Sequence, residues 1–161
     1  GLLSASPLEI VENGVPLVPQ NWSHITTMTV SYGYGLSVSM VQAAAAIAAA
    51  GGDGHYIAPT LLRRNANEPI EKLRIFSTET SMAVRSMMRL VVSNKIGTGN
   101  FADAPGYLVG GKTGTAEKVE NKRFNRKANR VSFVATFPAN DPAYLIMMMV
   151  DEPIGQKHSY N

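Results

Sequence analysis

The chain reads as an α+β fold, an antiparallel sheet with helices packed on it, because of the order in which its periodicities appear. Helical signals fall between residues 39 and 91, and strand signals then follow one another from 107 to 150 with only turn-forming residues between them. Strands joined by short turns pair antiparallel, and helices that precede them in the chain are left to cover the sheet. At 161 residues the chain is long enough for one domain, and with 45% hydrophobic and 17% charged residues it has the composition of a folded one.

Taken in order, residues 1–22 carry Pro7, Pro16 and Pro19 with Asn13-Gly14, which blocks a long helix and predicts extended, turn-rich chain. Ser23 can cap a short helical turn, although the β-branched run Ile25-Thr-Thr-Met-Thr-Val30 opposes one. Tyr32-Gly33-Tyr34-Gly35 is too rich in glycine for an element interior and reads as a bend. Ser39 and Gln42 form a capping box, in which each side chain satisfies an otherwise unpaired backbone N–H, and predict a helix from Met40 to about Ala50. Gly51-Gly52 should end it in the left-handed conformation.

Tyr56–Leu62 predicts a short edge or ribbon strand interrupted by Pro59, and Asn65–Pro69 a turn. Ser77-Thr78-Glu79 opens a second helix, with Ala83, Met87, Leu90 and Val91 on one apolar face. Gly97-Thr98-Gly99-Asn100-Phe101-Ala102 has the spacing of a dinucleotide turn. It follows a helix and leads toward a strand, the reverse of what that mechanism needs, so no nucleotide cofactor is expected.

Tyr107–Ala116 reads as a strand, then comes a basic hairpin loop over 118–130, then a strand with Val131, Phe133, Ala135 and Phe137 on its core face. Ala139–Pro142 turns the chain. Tyr144–Val150 is apolar without alternation, so both faces should be covered. Glycine weakens a strand, so Gly110, Gly111 and Gly114 imply that another backbone comes close, with an extended ligand the natural candidate. Lys112 and Gly114 would point to one face, Thr113 and Thr115 to the other. One reading is an anionic, peptide-like ligand added along this strand, its carboxylate meeting a hydroxyl and an ammonium; the other is an ordinary edge strand with a solvated lysine.

Gly111-Lys-Thr-Gly-Thr-Ala116, preceded by Ser31-Tyr-Gly-Tyr-Gly-Leu-Ser-Val38 before an alanine-rich helix, resembles the transpeptidase domain of class B penicillin-binding proteins, the septal and elongation peptidoglycan cross-linking enzymes. That family's helix usually starts Thr-Pro where this chain has Ser39-Met40. Of the family's three signatures, Ser-x-x-Lys is absent, and Ser159-Tyr-Asn161 follows Lys-Thr-Gly where Ser-x-Asn should precede it. The nucleophile is therefore expected outside these residues. The resemblance implies a β-lactamase/transpeptidase-like fold of five antiparallel strands, of which residues 1–161 form the carboxy-terminal portion of a single domain, without the first strands and the last helix. It implies a serine D,D-transpeptidase that forms an acyl-enzyme with the D-Ala-D-Ala end of a stem peptide and is the target of β-lactams. Lys112 would supply positive potential at the substrate carboxylate, Thr113 and Thr115 hydroxyls, Gly114 a clear strand face, and the Thr115 backbone N–H part of the oxyanion hole. No cofactor and no metal are implied. Partners are the stem peptide, β-lactams and the rest of the domain; the parent would be anchored in the bacterial cytoplasmic membrane with this domain on the periplasmic side. This chain alone should be inactive and can self-associate along Tyr144–Val150.

Other classes are bounded by composition. With no cysteine, disulfides and thiolate metal sites are excluded, and His24, His55 and His158 lack metal-ligand spacing. The apolar runs Ala43–Ala50 and Ala143–Val150 fall well short of the ~20 residues that span a bilayer. Net charge is +3, with Lys118, Lys122, Arg123, Arg126, Lys127 and Arg130 opposed by Glu120 alone, which offers a nucleic-acid patch as one alternative. A charge run between strands is more simply a solvated loop, and no nucleic-acid partner is expected. A non-catalytic binding or regulatory module on the same fold is the other alternative.

Overall fold

In the computed structural model, which describes residues 1–65, 67–120 and 123–154, the chain divides into two units, Gly1–Val84 and Arg85–Asn161. The first opens with extended chain, as the prolines require. It continues into helix α1 (His24–Ser31), where the Ser23 hydroxyl accepts from the Thr26 N–H at 3.1 Å and a full capped helix forms despite the β-branched run. Helix α2 (Met40–Gly51) carries the expected capping box: Ser39 N–H donates to Gln42 Oε1 at 3.1 Å and Gln42 N–H to Ser39 Oγ at 3.3 Å. Gln42 Nε2 also donates to the Gly1 and Ser4 carbonyls, so the buried amide ties the first residues to the helix start.

The helix ends differently from the expectation. Gly52 has φ −89°, and the left-handed residue is Gly54 at φ +91°, where a Cβ would stand 2.3 Å from the Phe76 carbonyl oxygen. That reversal feeds a two-stranded antiparallel ribbon of β1 (His55–Tyr56) and β2 (Leu73–Arg74), so the strand expected over Tyr56–Leu62 is confined to its first residue and the one before it. Asn65 and Glu68 close the expected turn, Glu68 N–H donating to Asn65 O at 3.0 Å.

Helix α3 (Thr78–Ser93) begins in the first unit and ends in the second, with the Ser77 hydroxyl capping the Thr80 N–H. Its buried positions are Ser81, Met88 and Val92, while Met87 and Leu90 are each 59% exposed. The apolar face expected at Ala83, Met87 and Leu90 is therefore displaced, because the helix is apolar on more than one side and periodicity alone does not choose the side the sheet takes. After α3 a Gly97–Gly99 turn and a 3-10 turn (Asn100–Ala102) lead to the sheet.

The sheet is antiparallel with strand order β3 (Gly110–Glu120), β4 (Arg123–Phe137), β5 (Tyr144–Asp151). β3 starts at Gly110 and not at Tyr107, because Leu108 has φ +48°, outside the extended region, and bends the chain just before the strand. Val92, Val109 and Ala135 form the core of this unit, with Phe133, Phe137, Ala102 and Ala104 packed around them, as expected for that face of β4, but Val134 and Thr136 on its other face are buried too, so the strand is not one-sided there.

Two further expectations are corrected. Residues 118–130 are not a loop: Lys118–Glu120 lie in β3 and Arg123–Arg130 in β4, with a bulge between Glu117 and Lys118. Lys122, like Ser159–Asn161 and His158, lies outside the described residues. β5 is not covered on both faces: among the described residues it pairs only with β4, and Tyr144, Ile146, Met148, Met149 and Val150 are exposed.

Candidate functional site

β3 places Lys112, Thr113, Gly114 and Thr115 on a sheet edge, and among the described residues it pairs on one side only, with β4. Opposite residues of an antiparallel pair share a face. Lys112 and Gly114 lie on the face of Val134 and Ser132, whereas Thr113 and Thr115 share the face of Phe133 and Val131, as the alternation predicts. The Lys112 side chain is exposed, and its ammonium donates to the Thr113 carbonyl at 2.6 Å.

The glycines have a different origin from the one expected. At Gly110 a Cβ would meet the Arg89 backbone nitrogen at 3.3 Å and Ala139 Cβ at 3.2 Å; at Gly111 it would stand 2.5 Å from Phe133 Cζ and 2.8 Å from the Val134 carbonyl oxygen. The backbone that approaches Gly110 is the protein's own α3, and Gly111 yields its space to the Phe133 ring. Only Gly114 has no backbone against it, a Cβ there meeting just the Ser132 hydroxyl at 2.7 Å.

Two hydroxyls escaped the sequence reading. Thr98, in the Gly97–Gly99 turn, stands with its Oγ1 2.9 Å from Thr113 Oγ1. Ser132 lies directly across from Gly114 on the face of Lys112. The signal for Thr98 was a hydroxyl held between two glycines; Ser132 required the strand register, which no local pattern supplies.

The basic segment is partly spent on the sheet itself. Lys118 Nζ bonds Asp151 Oδ2 at 2.8 Å and Glu152 Oε1 at 2.6 Å, and Arg130 Nε bonds Asp151 Oδ1 at 3.2 Å, tying all three strands. The hydrogen bonds that Lys118 donates to Asp151 and Glu152 raise its ammonium above its ordinary value, and the bond from Lys118 lowers the Asp151 carboxyl. With Lys118 and Arg130 so engaged, less of the cluster is free for a polyanion. Beside the start of β3, Arg89 donates to the Val109 carbonyl at 2.7 Å and holds Asp103 at 2.8 Å, lowering its carboxyl, at the rim of a depression of about 540 Å³ lined by Arg89, Asp103–Gly106 and Leu108. That depression includes no residue of the Lys-Thr-Gly strand. Among the described residues no group of three His, Asp or Glu side chains is placed to hold a metal ion.

Helices together with an antiparallel sheet that carries Lys-Thr-Gly on an edge strand define a protein of the β-lactamase-like class. The chain belongs to the penicillin-binding protein transpeptidase domain family, whose model matches residues 6–161. It is 34% identical over 167 residues to the probable peptidoglycan D,D-transpeptidase FtsI of Caulobacter vibrioides, covering 99% of this chain and 28% of that protein. It is 42% identical over 87 residues to stage V sporulation protein D of Bacillus subtilis, covering 54% of this chain and 13% of that one. Among solved structures, the transpeptidase domain of Burkholderia pseudomallei penicillin-binding protein 3 superposes with a TM-score of 0.89 at 39% identity, over 98% of this chain and 48% of that one. Mycobacterium tuberculosis penicillin-binding protein 3, solved with ampicillin and with aztreonam, superposes at 0.85 with 28% identity over 95% of this chain and 38% of that one. The chain spans less than a third of the curated relatives' length and under half of these structures.

Proposed function

We propose that this chain is the carboxy-terminal, substrate-binding portion of a serine D,D-transpeptidase that cross-links peptidoglycan stem peptides. The observation that carries the reading is the exposed Lys112 on a strand that, among the described residues, has one unpaired side, followed by Thr113, Gly114 and Thr115. A stem peptide laid along that side extends the sheet, with its terminal carboxylate near the Lys112 ammonium and the threonine hydroxyls. The serine, on polypeptide outside this chain, attacks the carbonyl between the two D-alanines; the C–N bond breaks, terminal D-Ala leaves with a proton, and an amine of a neighbouring strand then displaces the ester. The Thr115 N–H contributes to the oxyanion hole, a class of donor whose removal costs roughly 2.7–4 kcal/mol. β-Lactams acylate the same serine.

Because the chain contains no Ser-x-x-Lys, it is inactive by itself. Among the described residues no helix is long and apolar enough to cross a membrane. The parent is anchored in the cytoplasmic membrane with this domain on its periplasmic side. The parent's remaining strands are the natural partner of the β5 edge.

The test uses the full-length protein and a fluorescent penicillin. Lys112→Ala should slow acylation by one to two orders of magnitude, the factor set by a charge-assisted hydrogen bond of about 1.5–3 kcal/mol, with little change in melting temperature. Unchanged acylation would remove Lys112 from the site.

A further inference from the structure

We propose that Thr98 is a positioning residue that aims the Thr113 hydroxyl at the substrate carboxylate, an inference that rests on the substrate-binding reading of Thr113. The two Oγ1 atoms stand 2.9 Å apart, and either can donate to the other. A hydroxyl has one proton to give and two lone pairs to accept with. When an anion takes the Thr113 proton, the Thr113 oxygen is left to accept, and Thr98 is the donor within reach. The bonds then run in one direction, Thr98 to Thr113 to carboxylate, and each polarises the next. The contact also selects among the Thr113 rotamers, of which a β-branched side chain has few, before any ligand arrives.

The turn that carries Thr98 is fixed although Thr98 itself is exposed. Gly97 N–H donates to Asn94 O at 2.8 Å, Gly99 N–H to Val91 O at 3.2 Å, and Asn100 Nδ2 to Lys95 O at 2.7 Å. A Cβ at Gly97 would lie 2.1 Å from the Val91 carbonyl oxygen, and one at Gly99 3.1 Å from Phe133 Cε2, so the turn is seated against the end of α3 and the ring opposite Thr113. The glycine spacing that resembles a nucleotide loop thus serves to set one hydroxyl beside the Lys-Thr-Gly strand.

The test is a double-mutant cycle in the full-length protein, read as the acylation rate by a fluorescent penicillin over a range of concentrations. Thr98→Val should lower the second-order rate constant about fivefold, mainly through weaker reversible binding, because the carboxylate contact already exists in the ground state. Thr98→Ser should restore it, and the melting temperature should not move. In a Thr113→Val background, Thr98→Val should add nothing. If the two losses multiply, or if Thr98→Ser behaves as Thr98→Val, the positioning role is overturned. Should Thr98→Val fold poorly, Thr98→Ala in the same cycle gives the same reading. If Thr113→Val itself acylates at the wild-type rate, the role given to Thr113 has failed, and the inference falls with it. If Thr113→Val is slow and Thr98→Val is not, only the inference has.

Discussion

At one edge of the sheet, β3 carries glycine at 110, 111 and 114, lysine at 112 and 118, and a bulge after Glu117; at the other, β5 exposes Tyr144, Ile146, Met148, Met149 and Val150 with no charge until Asp151. Both edges are unpaired among the described residues, yet their chemistry is opposite. Strands that live at a water-facing edge are blunted by lysine and bulges, because an apolar unpaired edge templates association with another chain. β3 has both devices and β5 has neither along Tyr144–Val150. The difference fits the proposal that β3 receives a reversible visitor, and it sets β5 apart as the edge whose chemistry favours pairing with another strand.

The largest effect that would sharpen this contrast is on stability. Gly111→Val puts a side chain where Phe133 Cζ already stands 2.5 Å from the Cβ position and the Val134 carbonyl 2.8 Å away. Neither the carbonyl nor the packed ring moves cheaply, so urea unfolding should show a loss near the upper end of the overpacking range, about 3 kcal/mol. Ile146→Ala on β5, at a position 51% exposed, should cost the isolated chain less than about 0.5 kcal/mol. Comparable losses at the two positions would show that the edges do not differ in the way described.

A second, smaller effect concerns association. Met148 is 62% exposed at the β5 edge, so Met148→Lys should leave unfolding of the isolated chain unchanged while shifting its light-scattering mass toward the monomer. Wild-type chain that is monomeric at every concentration would break the argument for β5. Thr115→Lys on β3 is the matched control and should not alter the mass.

How far these edges were legible in the sequence follows from what each residue's environment requires. Lys112, Thr113 and Thr115 fall on the faces that two-residue alternation assigns, and Ser39 with Gln42 caps α2 as written, because both are set by neighbours close in the chain. The buried side of α3 was not legible: Met87 and Met88 are equally apolar, and only packing against the sheet makes Met88 7% exposed and Met87 59%. Gly110 and Gly111 were read as clearance for a ligand, yet the register across to Phe133 and the approach of α3 account for them. The uninterrupted apolar run in β5 was read as burial on both faces. Among the described residues β5 pairs only with β4, and most of its apolar side chains are exposed there. Ser132 and Thr98 stayed hidden because each gains meaning from a strand or turn distant in sequence.

The smallest effect tests where the two edges are joined. Asp151, at the end of β5, takes hydrogen bonds from Lys118 of β3 and Arg130 of β4, so the two edge strands share one ionic tie. The bond from Lys118 lowers the Asp151 carboxyl below its ordinary value, so its contribution to stability is fully present above the unfolded value of about 3.9 and is lost as pH falls through the lower folded one. Lys118 is raised by the same partners, so its contribution holds below the unfolded value of about 10.4 and is lost as pH rises through the higher folded one. The groups are in contact with water, so the effect on melting temperature at neutral pH should be slight and should shrink further in salt. Asp151→Asn should therefore flatten the acid limb of the melting profile below about pH 4 and reduce the alkaline limb as well, while acylation of the full-length protein stays as in wild type. An Asp151→Asn acid limb identical to that of wild type would mean that the tie forms without stabilising the sheet, and the two edges would then be coupled through β4 packing alone.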